Sequence, residues 1–461
     1  MSMYELCYVS SAAEEQRLKE QQKIMLLALS NLSITATQYN RDKQKQKQQP
    51  PKTHMLDYAI KCFDESRPYS PYNDPINIAY TPSKWISDDI HSRPPSLTSS
   101  VSSNDSSQHS KNEQDSVLEM SESRDAYGFK QPIRWIGLNK LNEINRKYKK
   151  VLEKQAKKWN SLLETNELQQ PFPPITPKLI RYTRKGIPHH LRAKAWMHYS
   201  GAKQKMSNNS GVYASLLQEI EAGNVTKECI DSIKKDLHRT FPENIHFACD
   251  LQYADMNPKL QQLQRILSAF SIYSPHIGYC QSLNFLAGFL LLFVDEEEAF
   301  WMLVTIVHDY FPPGMFDRVM EGGNLEQTVL MSMVYEKMPG VWSKISNQTC
   351  FWECEQRDNL PTVTLVTGHW FLTMFINILP IETVLRIWDC FFIEGFKVLY
   401  QAALTIVKLN EQKIMFVEDS VDTIQILQKM PQKLVDCHRF MEDISKKRDF
   451  FRNRKRQKKI Q

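Results

Sequence analysis

Between residues 179 and 409 the chain follows one repeated pattern: apolar residues at helical spacing, interrupted at short intervals by proline, glycine or a polar pair. Apolar segments fall around residues 263–272, 285–294 and 300–307, then 370–379, 384–392 and 398–409. The motifs FPPGMF and EGGN between them read as breaks. No run alternates strand with helix, and neither a glycine-rich phosphate loop nor an internal repeat is present. Only 14 of 461 residues are glycine, too few for a many-stranded sandwich with its turns. The pattern predicts an all-α fold.

The flanks read differently. Residues 1–124 are rich in Ser, Gln and Pro and too poor in apolar groups to offset ordering entropy, apart from a short helix expected to start near Ser11 and run into IMLLALSNL. Order is expected to resume with DAYGF at 125–129. A long amphipathic helix follows, carrying Leu141, Ile144, Tyr148, Trp159 and Leu162 on one face and a strongly basic opposite face, read as solvated. The prolines of PFPPITP are expected to end it.

Charge is unevenly spread. The chain carries +6, but residues 446–461 alone hold nine Lys/Arg and one Asp, so the rest is slightly acidic. That distribution argues against a globular nucleic-acid-binding fold. The tail reads either as an element for RNA, the nucleus or an anionic membrane surface, with Phe450 and Phe451 beside the charges fitting the membrane best, or as a solvated end. Nine cysteines without a framework read as reduced thiols, and the Cys350/Cys354 pair lacks a second pair at zinc-ligand spacing, so no metal site is expected. The N-terminus lacks the pattern of a signal peptide, and the apolar run 285–294 is too short to span a bilayer. A soluble, cytoplasmic protein is expected.

Two polar residues stand out within 233–284. In IKKDLHRTFPEN, Pro242 should end a helix soon after Arg239, freeing that side chain, and Asp236 lies three residues back, within pairing reach. In IGYCQSLNF, Gln281 precedes the most apolar helix. Spacing alone leaves both open: Arg239 is also explained as a cation at a helix C-terminus, and Gln281 as a cap.

The order of motifs narrows this. GIPHHLRAKAW, IKKDLHRTFPEN, YCQSLNFLAG and LPIETVLRIWDCFFIEG resemble the successive signature blocks of the TBC domain of Rab GTPase-activating proteins, over about residues 179–400. The preceding DAYGF element, basic helix and PFPP linker resemble the extension of the Gyp/Msb-type sub-group. The resemblance implies a helical extension and linker at 125–178, a multi-helix TBC domain at 179–445 with its signature core at about 186–400, and a basic tail at 446–461. It also implies a catalytic activator without an active site of its own. In that family the arginine of the first block enters a bound Rab, and the glutamine of the second orients the attacking water. Here these are Arg239 and Gln281, supported by Asp236 and Tyr279. Arg192, Trp196, Arg386, Trp388 and Asp389 are scaffold positions. The implied partner is a Rab-family small GTPase in its GTP state, bringing GTP and Mg²⁺ with it, in vesicle trafficking at an endomembrane or the plasma membrane. The alternative is a non-catalytic TBC scaffold that holds a GTPase or a membrane-traffic partner. One departure is local: Ser282 stands where the family usually has glycine.

Overall fold

A computed structural model describes residues 124–164, 172–248, 257–346, 349–356 and 360–446. The expectations for residues 1–123 and for all of the basic tail beyond Lys446 lie outside the described residues. Within them, regular structure is helical; the only bridge is an isolated antiparallel pair between Arg124 and Lys130. No described helix is long and apolar enough to cross a membrane.

The helices that build the site are α1 (Leu138–Glu164), α2 (Pro177–Thr183), α3 (His189–Tyr199), α4 (Lys227–Leu237), α5 (Pro258–Tyr273), α6 (Leu283–Leu290), α7 (Glu296–Thr305), α8 (Glu321–Lys337), α9 (Thr364–Leu372), α10 (Ile381–Glu394) and α11 (Lys397–Leu409). Local chemistry sets their starts. The side chains of Thr176, Thr226 and Asn257 accept from backbone N–H groups in the first turns of α2, α4 and α5, with Pro177 and Pro258 at first helical positions where the missing N–H costs nothing. Asp295 and Glu298 close a reciprocal capping box on α7.

Helix α10 is the axis of the core. Eleven consecutive residues, from Thr383 to Ile393, are buried, because α2, α3, α11 and a C-terminal helix, Cys437–Lys446, pack around it. The apolar helices α5, α6 and α7 pack against one another, and α4 lies on α5 and α6.

Two expectations are corrected. EGGN is not a break but the first turn of α8. Its glycine serves packing: a Cβ at Gly322 would sit 2.4 Å from the Pro313 carbonyl oxygen, and the Gly322 N–H donates to Gly314. The apolar run 370–379 is also not one helix. It leaves α9 after Leu372 and turns through left-handed backbone at Met374, Phe375 and Asn377, where the Met374 carbonyl accepts from Trp388 Nε1 at 3.1 Å.

Further from the site, Glu326 on α8 is buried and accepts a hydrogen bond from Tyr400 on α11. Burial pushes its carboxyl up to about 7, although the Tyr400 hydroxyl works in the opposite direction.

Candidate functional site: two exposed side chains on cross-linked loops

Helix α4 ends at Leu237, five residues before Pro242, leaving Arg239 in the turn just beyond it. Its side chain is 52% exposed. One Nη meets Asp236 Oδ1 at 2.5 Å and Nε donates to the Lys235 carbonyl at 3.2 Å. The guanidinium is thus steered by its own helix, while its remaining N–H groups have no partner among the described residues.

Asp236 is buried and meets two partners at once. Its Oδ2 accepts from the Tyr279 hydroxyl at 2.6 Å, so the loop that carries Gln281 is tied to the helix that carries Arg239. Burial raises the Asp236 pKa; the Tyr279 hydroxyl and the Arg239 charge oppose that rise. Burial likewise raises the Tyr279 hydroxyl, which stays a donor.

A second tie crosses between the loops. Thr240, next to Arg239, donates its hydroxyl to the Asp236 carbonyl at 2.8 Å and accepts from Asn284 Nδ2 at 2.8 Å. Asn284 Oδ1 in turn accepts from the Ser282 N–H at 3.1 Å, directly after Gln281. Thr240 and Asn284 are both almost fully buried. Sequence reasoning passed over them, although they neighbour the two singled-out residues in the same motifs. Gly288 lets α6 approach this close, since a Cβ there would lie 2.8 Å from Thr240 Cγ2.

Gln281 is exposed, and nothing among the described residues holds its amide. Its carbonyl accepts from the Cys280 thiol at 3.3 Å, and burial pushes that thiol up to about 12, so it stays protonated. Ser282 follows with φ of 104°, in backbone that favours glycine, while its side chain is buried. The family's usual glycine at this position therefore has a conformational reason, and serine adopts the same backbone here under strain.

The five scaffold positions converge on one buried network. Asp389 accepts from Arg192 Nε at 3.0 Å, from Trp196 Nε1 at 2.9 Å and from the Ile187 N–H at 3.2 Å. Burial works against the Arg192 charge, but Asp389 and Glu382 hold its pKa well above the ordinary value. Trp388 packs against Trp196 with ring centroids 5.5 Å apart. Arg386 donates to the Arg184 carbonyl at 2.6 Å and to the Tyr148 hydroxyl at 3.3 Å.

That network reaches the arginine turn through residues before the helical domain. Arg192 donates to the Tyr127 hydroxyl at 3.0 Å, and the Tyr127 carbonyl accepts from Asn244 Nδ2 at 2.9 Å. The Ile245 N–H donates to the Gly128 carbonyl at 3.2 Å, Arg124 donates to the Glu243 carbonyl, and Phe129 packs edge-on against Phe241 at 5.2 Å. A Cβ at Gly128 would stand 2.7 Å from Ile245 Cγ1. The DAYGF segment is a brace under the turn that follows Arg239. No cluster of His, Cys, Asp and Glu suited to a metal occurs among the described residues.

Arg239 and Gln281 thus stand exposed on adjacent, mutually tied segments of a helical scaffold, and both fall within a family domain. Residues 189–415 match the Rab-GTPase-TBC domain, and the chain belongs to that family. It is 35% identical over 345 residues to growth hormone-regulated TBC protein 1-A of Danio rerio, covering 73% of this chain and 88% of that one. GTPase-activating protein GYP3 of Saccharomyces cerevisiae is 37% identical over 392 residues, 73% of this chain and 62% of the relative. GTPase-activating protein MSB4 of the same yeast is 38% identical over 312 residues, with 64% and 63% covered. The chain therefore spans less than two thirds of the length of these two yeast relatives. Among solved structures, the Chlamydomonas flagellar RabGAP TBC domain superposes with a TM-score of 0.56 at 25% identity, covering 70% of this chain and 98% of that one.

Proposed function

We propose that this protein accelerates GTP hydrolysis by a Rab-family small GTPase in its GTP state, with Arg239 and Gln281 supplied in trans to the partner's nucleotide site. Family membership supports the partner class. The observation that carries the mechanism is the pairing of exposure with restraint: both side chains stand in solvent, while the residues beside them are buried and tied across the two loops.

Phosphoryl transfer asks for positioning and charge stabilisation rather than a protein nucleophile. An arginine supplied by a partner is worth about 10³–10⁵ in rate, or some 4–7 kcal/mol of barrier. The planar fork of Arg239 suits phosphate oxygens bidentately, and the Asp236 carboxylate with the Lys235 carbonyl keeps that fork from collapsing elsewhere. Gln281, with its amide unengaged, suits orientation of a water. GTP and Mg²⁺ belong to the partner on this reading, and the protein contributes no cofactor. Its work is then cytoplasmic and falls within vesicle-mediated transport.

Single-turnover GTP hydrolysis across a Rab panel tests the proposal. Acceleration of at least one member is expected. Binding without acceleration of any would make the protein a non-catalytic scaffold instead.

A further inference from the structure

The outer face of α1, which carries neither Arg239 nor Gln281, holds a concentration of positive charge. Residues 138–164 hold eight Lys/Arg and three Glu, a net +5, and the tail 446–461 holds +8. The remaining 418 residues hold 41 basic and 48 acidic groups, a net −7. Among the described residues, this helix is therefore a strongly cationic element on an acidic body.

Its orientation is fixed from the other side. Leu141, Gln155, Trp159 and Leu162 are buried, Trp159 Nε1 donates to the Gly186 carbonyl at 3.1 Å, and the Tyr148 hydroxyl donates to Glu382 at 2.8 Å. Arg146, Lys150, Lys154 and Lys157 then follow one another at four- and three-residue steps, all exposed, along about 17 Å of helix. Like charges at this spacing destabilise a helix. Among the described residues only Lys140 and Lys147 of the α1 cations find an ion pair, both with Glu143. Beyond the row, Lys158 and Lys178 of α2 both sit over the Tyr182 ring, at 5.7 and 5.8 Å from its centroid, so the charge continues onto α2.

We propose that this face docks the protein on an anionic membrane leaflet. The cations form an exposed line along a helix surface, which suits a plane of phosphate and carboxylate headgroups. Such a surface attracts each Lys or Arg near it in an additive, salt-sensitive way. Lysine stems can lie along the interface while their ammoniums stay hydrated. Nucleic acid fits less well, because Tyr182, beside the row, has two ammoniums over its ring, while Trp159 of α1 is buried and the Tyr148 hydroxyl is held by Glu382, so no open ring is offered for base stacking. Ile175, 39% exposed three residues before Lys178, adds an aliphatic contact of the kind a lipid surface accepts.

The test uses the full chain in vesicle sedimentation without any GTPase, so its outcome is independent of the catalytic reading. Phosphatidylcholine vesicles with and without phosphatidylserine are compared for three proteins: the unaltered chain, the triple variant Lys150→Glu, Lys154→Glu, Lys157→Glu, and a charge-matched control, Lys203→Glu, Lys227→Glu, Lys234→Glu, with circular dichroism confirming helicity. The expected result is retention of the unaltered chain by phosphatidylserine vesicles only, falling on added salt, with a loss of about tenfold or more in the α1 variant and little change in the control. Equal binding by the α1 variant would assign membrane contact to the tail and overturn the proposal. So would absent binding by the unaltered chain, or equal loss in the control. A parallel filter-binding assay with RNA adds a further arm: loss of RNA binding with vesicle binding intact would point to nucleic acid instead.

Discussion

Tyr279 and Asp236 lie 43 positions apart and share a 2.6 Å hydrogen bond in which the phenol donates to a buried carboxylate, whose other oxygen holds Arg239. This bond joins the two loops of the proposed site. Tyr279→Phe leaves the carboxylate buried with one partner fewer, so a loss of about 1–3 kcal/mol in a denaturant melt is expected, together with slower stimulated hydrolysis. A variant with unchanged stability and full activity would show that the tie is dispensable.

The brace makes a separate prediction. Asn244→Ala removes the amide that bonds the Tyr127 carbonyl and the His246 N–H, leaving two part-buried backbone groups without that partner. Stability should fall by about 1–3 kcal/mol, and hydrolysis should slow even though residue 244 carries no proposed chemistry. For the same reason, a chain starting at residue 189, where the family match begins, should activate a GTPase poorly. Full activity of that shorter chain would show that the brace has no part in placing Arg239.

Ser282 gives a prediction in the stabilising direction. At φ of 104° a side chain is strained, whereas glycine is not. Allowing for the greater freedom of glycine in the unfolded chain, Ser282→Gly should raise stability by about 0.5–1 kcal/mol. Thermal melts of the two proteins decide the sign; a lower midpoint for the glycine variant would mean that the buried hydroxyl contributes more than the backbone strain removes.

The pH dependence of stability should carry the signature of Glu326. Its pKa is raised from 4.5 to about 7 in the folded protein, so the folded state holds this proton more tightly than the unfolded one. The stabilisation is complete below about 4.5 and is lost as pH rises through about 7. The shift corresponds to up to about 3 kcal/mol. Glu326→Gln should abolish that component, leaving the variant relatively more stable above pH 7 than below pH 5, as read from denaturant midpoints at each pH.

Helical periodicity made the all-α fold legible, because burial on one face writes itself into the sequence every three or four residues. It failed where apolar residues are buried outside a helix: Met374, Phe375, Ile376 and Leu379 are all buried, and the same apolar run suits a compact set of turns. Gly322 misled because glycine reads as a breaker until the neighbouring backbone that needs its missing Cβ is visible. In the site, the pairing of Arg239 with Asp236 was readable from spacing, since they stand three residues apart across the end of one helix. Thr240 and Asn284 were not, because their bond spans 44 positions and a lone buried Thr or Asn has no periodic signature. The motif order supplied the pairing of Arg239 with Gln281, and Ser282 was conspicuous only against the family's usual glycine.

The central claim is that Arg239 supplies charge to a partner's transition state. Its direct measurement is single-turnover GTP hydrolysis by a responsive Rab with Arg239→Lys, alongside a thermal melt. The exposed side chain predicts an unchanged melting temperature, and the lost fork predicts a fall in stimulation of about 10³ or more. Full stimulation by the lysine variant would contradict the account.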